Sequence, residues 1–302
     1  MGGRDRGRVH APRALRGRRR CGGAGCAGGG RVAEGTLIRF IAEKVRARGL
    51  VLDATGIAEE AARIHGLDGE LKALFGEVLA AAVLLTAHTK GGVRQVVQLD
   101  AEREEAPVRR MLAEAGQGAV RGYLHRTEAA PLPGERLERW MGLPVRLAVV
   151  RDMGFGHPYL SVVEQTSPWV ADGVAEYLWR SVQTRAEVIL TGARGLLLEA
   201  MPGAGAAHWR KALQAVAEIP TAEIARASPQ ALVARLERVG ARVLAEETWR
   251  YRCRCTLDSV ARALERLDAN ALRELMDDSG MITVSCEYCG KQYRIPAPKK
   301  DA

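Results

Sequence analysis

Hydrophobic residues recur along this chain with two periods, and the period changes at defined points. A spacing of three and four residues predicts a short helix over 57–64 that ends at Gly66, and a longer helix over 71–85. The longer helix is apolar on almost every side, so we expect it to be buried in a core. The folded part of the chain is predicted to begin at Thr36, where periodicity first appears.

Beyond the longer helix the period changes to two, which is typical of strands. The strands are predicted at 94–99, 120–125, 145–150, 159–165, 187–191 and 195–201. Between the fourth and fifth strands, Ser167 as N-cap and Pro168 at the first position predict a further helix. Because the strands are grouped and do not alternate strictly with helices, the sequence predicts the α+β class.

After Gly205 the pattern becomes helical again. One helix is predicted over 208–219, and Ser228 followed by Pro229 predicts the start of another, which ends at Gly240. We interpret 204–250 as a helical linker, since its apolar stripes need the surface of a neighbouring domain. Two more helices follow, the second capped by Asn270, and then a strand, a tight turn and a strand that ends near residue 295.

Four of the six cysteines form two close pairs near the C-terminus, Cys253 with Cys255 and Cys286 with Cys289. Two pairs at this spacing bring four thiolates within reach of one tetrahedral ion, which indicates a structural zinc site. Gly290, directly after the second pair, can adopt the positive φ of a tight turn. The segment between the pairs is too short for a core of its own, so we expect its folding to depend on metal.

Other interpretations of these cysteines stay open at this point. A disulfide framework needs an oxidising compartment, and no secretory signal is recognised, because Gly, Ala and Cys follow the arginine cluster where an apolar segment is required. Chance clustering of buried cysteines and a zinc ribbon that serves only as a structural clip also fit the spacing. A further possibility is a zinc site that senses oxidants, since the thiolate is the form that oxidants attack.

The net charge of +9 is concentrated at the N-terminus. Residues 1–34 hold nine arginines against Asp5 and Glu34, a local charge of +7, which leaves +2 for the rest of the chain. Such a basic arm suggests an alternative function, a zinc-ribbon-type nucleic-acid-binding protein. The nearly neutral remainder argues against nucleic acid as a partner, because phosphate binding requires a broad basic face.

Residues 1–35 are rich in Arg and Gly and have almost nothing to bury, so they are predicted to be disordered. Residues 23–28 match the dinucleotide-binding fingerprint letter by letter. No strand precedes this match and no amphipathic helix follows it, so we predict no cofactor site there. Cys21 and Cys26 lie in the same extension without an evident partner.

Two further classes of protein are not favoured. The histidines lack metal-ligand spacing, and neither a nucleophile elbow nor a Walker pattern occurs, so we do not expect an enzyme. These histidines are His10, His65, His88, His125, His157 and His208. The longest apolar run, 78–87, is much shorter than a membrane span, so we expect no membrane partner and a cytoplasmic location.

At this level of detail the chain resembles a known family, the redox-regulated 33 kDa chaperonin or heat shock protein 33. The C-terminal residues that carry the resemblance are Arg252-Cys253-Arg254-Cys255, Cys286-Glu287-Tyr288-Cys289-Gly290 and Tyr293-Arg294. In the body of the chain they are Val120-Arg121-Gly122-Tyr123, Pro158-Tyr159 and the run from Gly195 to Ala204. The resemblance covers about residues 36–296.

The resemblance implies an ATP-independent chaperone, a holdase, that binds unfolding proteins and is inactive while reduced and zinc-bound. One zinc ion per chain would be held by Cys253, Cys255, Cys286 and Cys289. Oxidation would form the disulfides Cys253–Cys255 and Cys286–Cys289, release zinc and loosen the terminal domain together with the linker. Active family members are dimers, so a homodimer is expected.

The prediction as a whole is an α+β protein with a mixed α/β core domain, a helical linker and a small C-terminal zinc-binding domain. The expected parts are 1–35, the disordered extension; 36–203, the core domain for substrate binding and dimerisation; 204–250, the metastable linker; 251–296, the four-cysteine redox-switch domain; and 297–302, a tail.

Overall fold

The computed structural model describes residues 33–89 and 94–298. In these residues the strands are β1 (Glu34–Ala42), β2 (Ala47–Asp53), β3 (Arg94–Ala101), β4 (Val108–Gly116), β5 (Ala119–Arg126), β6 (Val145–Asp152), β7 (Tyr159–Gln165), β8 (Ala186–Thr191), β9 (Arg194–Ala200), β10 (Ala241–Tyr251), β11 (Met281–Ser285) and β12 (Gln292–Pro296). The helices are α1 (Thr55–His65), α2 (Gly69–His88), α3 (Arg136–Met141), α4 (Val170–Arg180), α5 (Ala206–Ala217), α6 (Thr221–Ile224), α7 (Pro229–Arg235), α8 (Leu257–Leu264) and α9 (Ala269–Leu275). Short 3-10 turns cover Glu43–Val45 and Glu237–Val239.

The first ten strands form one sheet, in the order β7-β6-β3-β4-β5-β10-β1-β2-β9-β8. Neighbouring strands are antiparallel except at one place, where β10 meets β5 in parallel and Tyr251 lies opposite Val120. β10 pairs with β1 along its length, whereas its contact with β5 covers only its last two residues. A strand from the C-terminal part of the chain therefore joins the two halves of the sheet.

Helix α2 is the centre of the core on one face of the sheet, with α1, α3 and α4 around it. Its side chains are buried from Leu74 to Ala87, as the apolar sequence predicts. Its 20 residues are long and apolar enough to cross a membrane, yet 83% of its apolar window is buried inside the protein. In the described part of the chain it is the one helix that meets this criterion, and its place is that of a core helix.

Helices α5, α6 and α7 cover the opposite face of the sheet. Successive residues of β1 divide between the two cores: Leu37 belongs to the first, and Ile38 to the second, as expected for a strand. In the second core Val216, Ile224 and Leu232 of the three helices are buried beside the sheet residues. These helices bury their apolar residues on the sheet, so their removal would uncover an apolar face.

A third, much smaller cluster lies at the C-terminal end, in α8, α9 and the β11-β12 hairpin. Its buried members are Leu264, Leu272, Ile282, Tyr293 and Ile295, and Cys255 and Cys286 pack against them. A core of this size stabilises a chain segment only weakly. This module, residues 251–296, therefore needs a further source of stability.

The α+β class and most of the predicted elements are confirmed. The two early helices form, β7 has the predicted bounds, and β11 and β12 flank the second cysteine pair. Gly66 ends α1 with a φ of 63°. The Ser228 side chain accepts a hydrogen bond from the Ala231 N–H at 3.2 Å and caps α7 as predicted.

Two predicted helix caps are wrong by two residues. Helix α4 begins at Val170, and Ser167 accepts the N–H of Trp169 in the turn that precedes it. Helix α9 is capped by Asp268, not by Asn270, because the Asp268 carboxylate accepts the N–H of both Asn270 and Ala271. Before α9 two residues that favour turns, Asp268 and Asn270, stand close together, and the sequence does not say which of them precedes the first helical turn. The N-cap position of α4 is Trp169, which makes no side-chain cap hydrogen bond and gives no signal in the sequence.

Helices α5 to α7 form within the predicted linker, whereas residues 241–250 belong to strand β10 and are not helical. The side chains over 242–246 are exposed, so this part of β10 shows no alternation of apolar and polar residues. Five elements, β1, β2, β4, α3 and α6, were not predicted at all. The boundaries between the proposed domains stay a prediction, as do the statements about the N-terminal extension, Cys21, Cys26 and the run 23–28, which lie outside the described residues.

The place of β10 in the sheet is open to a direct test. Trp249 is 4% exposed and lies in the main core, while Leu244 on the same strand is 53% exposed. We expect Trp249→Ala to lower the free energy of unfolding by about 3 kcal/mol, because a large cavity is created. Leu244→Ala should lower it by less than about 1 kcal/mol. Urea unfolding followed by far-UV circular dichroism measures both; equal effects would contradict the assignment of β10 to the core.

Candidate metal centre

The first cysteine pair is anchored to the large sheet. Strand β10 ends at Tyr251, and the next residue, Arg252, donates its N–H to the carbonyl oxygen of Val120 on β5 at 3.0 Å. Cys253 and Cys255 follow immediately, before α8 begins. The position of this pair is therefore set by the main sheet and not by the terminal module alone.

The second cysteine pair lies in the turn between β11 and β12. The Cys286 N–H donates to the Lys291 carbonyl oxygen at 2.9 Å, and the Gly290 N–H donates to the Cys286 carbonyl oxygen at 2.8 Å. Gly290 has a φ of 70°, the left-handed conformation that the sequence predicts for this turn. The hairpin thus holds Cys286 and Cys289 close together.

The structure brings all four predicted cysteines together. Their Sγ atoms lie within 4.8 Å of one another, and two contacts link one pair to the other: 3.7 Å from Cys253 to Cys286 and 3.5 Å from Cys255 to Cys289. Sulfurs that share a tetrahedral zinc ion lie about 3.8 Å apart, since the Zn–S bond is about 2.3 Å. All four are free thiols, and within the described ranges no other His, Cys, Asp or Glu side chains gather in this way.

The acidities of these thiols show why a cation suits the cluster. Although burial opposes its ionisation, hydrogen bonds from Tyr293 and the neighbouring thiols lower the pKa of Cys255 to about 7. Burial and the adjacent sulfurs raise the pKa of Cys289 to about 12, and burial also raises the pKa of Cys286. One sulfur therefore ionises first and opposes the ionisation of the others. Four thiolates are stable together only beside a soft cation, so the residues present fit zinc.

Tyr293 of β12 contacts the first cysteine pair from the module side. Its hydroxyl lies 3.2 Å from the Cys255 sulfur and 3.0 Å from the Cys255 carbonyl oxygen. Its ring belongs to the small core of the module. Tyr293 thus joins the packing of the hairpin to the orientation of one thiolate.

Arg121 of β5 contacts the same pair from the side of the main sheet. Its guanidinium nitrogen lies 3.7 Å from the Cys253 sulfur, and its central carbon lies 4.0 Å from the centre of the Tyr288 ring. Arg121 also donates to the Glu114 carboxylate at 2.8 Å. Glu114 is almost completely buried, and it accepts a further hydrogen bond from Arg254, the residue between the two cysteines of the first pair.

Tyr288, inside the second cysteine pair, rests on the end of β5. The Tyr123 ring packs edge to face with the Tyr288 ring at 5.0 Å. The Tyr251 hydroxyl lies 2.6 Å from the Tyr288 carbonyl oxygen, and beside it His125 and Glu287 form a pair at 2.9 Å. The hairpin that carries the second pair is therefore held against the main sheet.

Sequence analysis named none of these contact residues as part of the site. Arg121 and Tyr123 lie in the motif Val120-Arg121-Gly122-Tyr123, which contributed to the family resemblance without a role of its own. Arg121 and Cys253 are 132 positions apart. No periodicity or spacing in one sequence can report a contact over such a distance.

The histidines do not form a site, as far as the structure describes them. His88 pairs with the buried Glu199, which also binds Arg48, and His65 lies 3.0 Å from the Gly122 carbonyl oxygen. His125 pairs with Glu287 at the edge of the module. Each contact joins two elements of the fold, so these side chains have structural partners.

Comparison with known proteins gives matches over most of the chain. Residues 35–296 match the family model described as Hsp33 protein. The chain is 30% identical over 283 residues to a 33 kDa chaperonin of Synechocystis, a match that covers 85% of this chain and 92% of the relative. It is 27% identical over 289 residues to a 33 kDa chaperonin of Trichodesmium erythraeum, covering 87% and 91% of the two chains.

A solved structure shares the fold. The crystal structure of a 33 kDa chaperonin, a heat shock protein 33 homologue from Thermotoga maritima, superposes with a TM-score of 0.71 at 22% identity. The match covers 87% of this chain and 94% of the other.

The contact between Tyr293 and Cys255 gives a test of the site. In reduced, metal-free protein we expect Tyr293→Phe to raise the pKa of Cys255, because the thiolate loses its hydroxyl donor. Alkylation of Cys255 requires the thiolate, so its rate should reach half of its maximum near pH 7 in the parent and at a higher pH in the variant. Mass spectrometry of the labelled peptides reports each cysteine. The exposed Tyr159→Phe is the control, and an unchanged profile in Tyr293→Phe would contradict the assigned contact.

Proposed function

Since this chain belongs to the Hsp33 family, a family of chaperones, we propose that it is a redox-regulated, ATP-independent holdase that captures unfolding proteins under oxidative stress. The observation that carries the proposal is the cluster of four sulfurs within 4.8 Å, joined through β10 to helices that cover an apolar sheet face. A chemical change at the sulfurs can therefore act on the cover of that face.

In the reduced state, Cys253, Cys255, Cys286 and Cys289 hold one zinc ion per chain. The ion supplies the positive charge that lets four neighbouring thiolates coexist, and it supplies most of the folding free energy of the module, about 10–16 kcal/mol for a structural zinc site. The small core of the module supports this assignment, because so few buried side chains cannot order residues 251–296 alone.

Oxidation converts the thiolates into disulfides. In each pair, Cys253 with Cys255 and Cys286 with Cys289, two thiolates give two electrons to one molecule of peroxide and form an S–S bond. The peroxide takes up two protons and leaves as two molecules of water. Neutral disulfide sulfurs are poor ligands, so the metal is no longer held and the module loses its main source of stability.

The unfolding of the module then spreads to the neighbouring linker. Only Arg252 separates Cys253 from the end of β10. At its other end, β10 is separated from α7 by the short 3-10 turn Glu237–Val239. We propose that α5, α6 and α7 separate from the sheet and uncover the apolar residues of the second core, such as Ile38 and Phe40. β10 is tied to β1 along its length, so the helices are the part of the linker that opens.

The proposed partners follow from this scheme. Unfolding client proteins bind the uncovered apolar surface, and the active form is a homodimer located in the cytoplasm. The protein acts by binding and not as an enzyme. The relatives from Synechocystis and Trichodesmium erythraeum are both named 33 kDa chaperonin, which supports the client class.

Metal content and oxidation test this proposal together. Reduced protein should contain one zinc ion per chain and should not suppress the aggregation of a heat-denatured client. Peroxide with mild heat should release the zinc, remove four thiols and switch suppression on, because the ligands have become disulfides. Metal analysis, thiol counting and light scattering measure the three changes.

The chain offers a matched control for the thiol count. Replacing Cys21 and Cys26 by serine leaves the four clustered cysteines intact, so zinc release and activation should be unchanged. Reduced protein without metal would refute the zinc site. Full suppression by the reduced, zinc-loaded protein would refute the redox switch.

The helical cover makes a second prediction. Ile224 of α6 is completely buried in the second core, so Ile224→Ala should weaken the packing of the cover by about 3 kcal/mol. We expect faster proteolysis within 206–239 and partial client suppression by the reduced, zinc-loaded variant. The control, Leu275→Ala, truncates a half-exposed leucine of α9. If Ile224→Ala is cleaved no faster than this control, α6 is not part of a detachable cover.

A further inference from the structure

Arg121, Arg254 and Glu114 surround the first cysteine pair, and they are not among the residues that would hold the metal. We propose that the cluster formed by Arg94, Arg121, Arg254 and Glu114 is a counter-charge that positions the metal-loaded module on the main sheet and loses its partner when the cysteines are oxidised. The inference rests on the proposed function, because it requires four thiolates around a divalent ion.

The charges on the two sides are opposite. Three guanidinium groups surround one carboxylate: Glu114 accepts from Arg121 at 2.8 Å and from Arg254, and Arg94 lies 3.4 Å away. Arg94 also pairs with Asp152 at 3.2 Å, so the two carboxylates leave one net positive charge, next to the first cysteine pair. Four thiolates around one divalent cation carry two net negative charges. The positive charge of the cluster is thus a counter-charge for part of the negative charge of the sulfurs.

The position of Arg121 makes it the central residue of the cluster. Its side chain is 17% exposed, and it lies between the Glu114 carboxylate, the Cys253 sulfur at 3.7 Å and the Tyr288 ring at 4.0 Å. Arg121 therefore contacts both cysteine pairs: one sulfur of the first and the aromatic residue inside the second. Partial burial limits screening by salt, so such contacts are stronger than those of an exposed ion pair.

Arg254 attaches the first pair from the other side. It lies between Cys253 and Cys255 in the chain, yet its guanidinium reaches Glu114 on β4. One guanidinium neutralises the Glu114 carboxylate, so the second positive charge of Arg121 and Arg254 is balanced when thiolates lie beside the cluster. The arrangement is therefore suited to the thiolate form of the module.

Oxidation changes the balance of charge. When the two pairs become neutral disulfides, the sulfurs carry no charge, and Arg121 and Arg254 remain beside each other with one positive charge more than Glu114 neutralises. Their mutual repulsion then opposes docking, in addition to the lost stability of the module. The charge of the sulfurs thus controls the attachment of the module to the sheet as well as its folding.

Zinc release from reduced protein tests the proposal without client activity as a readout. We expect Arg121→Met to speed the transfer of zinc to a chelator about tenfold, the effect of losing one charge-assisted hydrogen bond. Hydrogen exchange over 281–296 should also become faster. Raising the salt concentration should speed release from the parent protein, and the variant should respond less, because part of the screened interaction is already absent.

Two further variants make the result decisive. Arg254→Gln removes the same kind of contact from the module side, outside the main sheet, and should speed release in the same direction even if Arg121→Met disturbs β5. Arg48→Met is the matched control, because Arg48 also pairs with a buried glutamate, Glu199, in strands β2 and β9 far from the cysteines in the sheet order. Its zinc release should equal that of the parent.

The outcomes separate this inference from the proposed function. Parent protein that binds zinc and releases it on oxidation, with release rates unchanged by Arg121→Met and Arg254→Gln, would overturn the counter-charge role and leave the switch standing. Parent protein that holds no zinc would overturn the proposed function itself.

Discussion

Four sulfur atoms within 4.8 Å of one another are the constraint on which the rest of this structure depends. Burial and mutual repulsion raise the pKa of Cys289 and Cys286, while the Tyr293 hydroxyl stabilises the thiolate of Cys255. Such a group accepts a soft cation readily and is costly to keep fully ionised without one. The apolar core of the small terminal module is too small to maintain its order alone, so we propose that a cation at the sulfurs stabilises it.

Strand β10 makes this local chemistry matter for the rest of the molecule. It pairs with β1 along its length, touches β5 at its end and continues directly into the first cysteine pair. Helices α5, α6 and α7, which cover the second core, precede β10 in the chain. The helices of the cover, strand β10 of the sheet and the first cysteine pair are thus consecutive parts of one chain segment. This covalent continuity connects the candidate metal site to the helical cover.

The contacts around Arg121 and Tyr288 add a second connection, through space. Tyr288 lies between two cysteines and rests on Arg121 and Tyr123 of β5, and Tyr251 contacts its backbone. The module is therefore attached to the sheet by covalent continuity at Cys253 and by packing at the hairpin. In the proposed scheme, loss of the thiolate charge weakens the second attachment, and loss of the metal weakens the folding of the part that makes it.

The sequence by itself determined the four cysteines, the turn at Gly290, the buried helix α2 and the α+β class, because these depend on local spacing and on apolar periods. It did not reveal β10 as a strand, since residues 242–246 are exposed and lack alternation, and the pairing with β1 is what makes the segment extended. It also did not reveal the contacts of Arg121 with Glu114 and Cys253. Only the tertiary structure decides these, because Arg121 meets Cys253 across 132 positions, and a hydrogen bond or ring contact between distant segments leaves no pattern in one sequence.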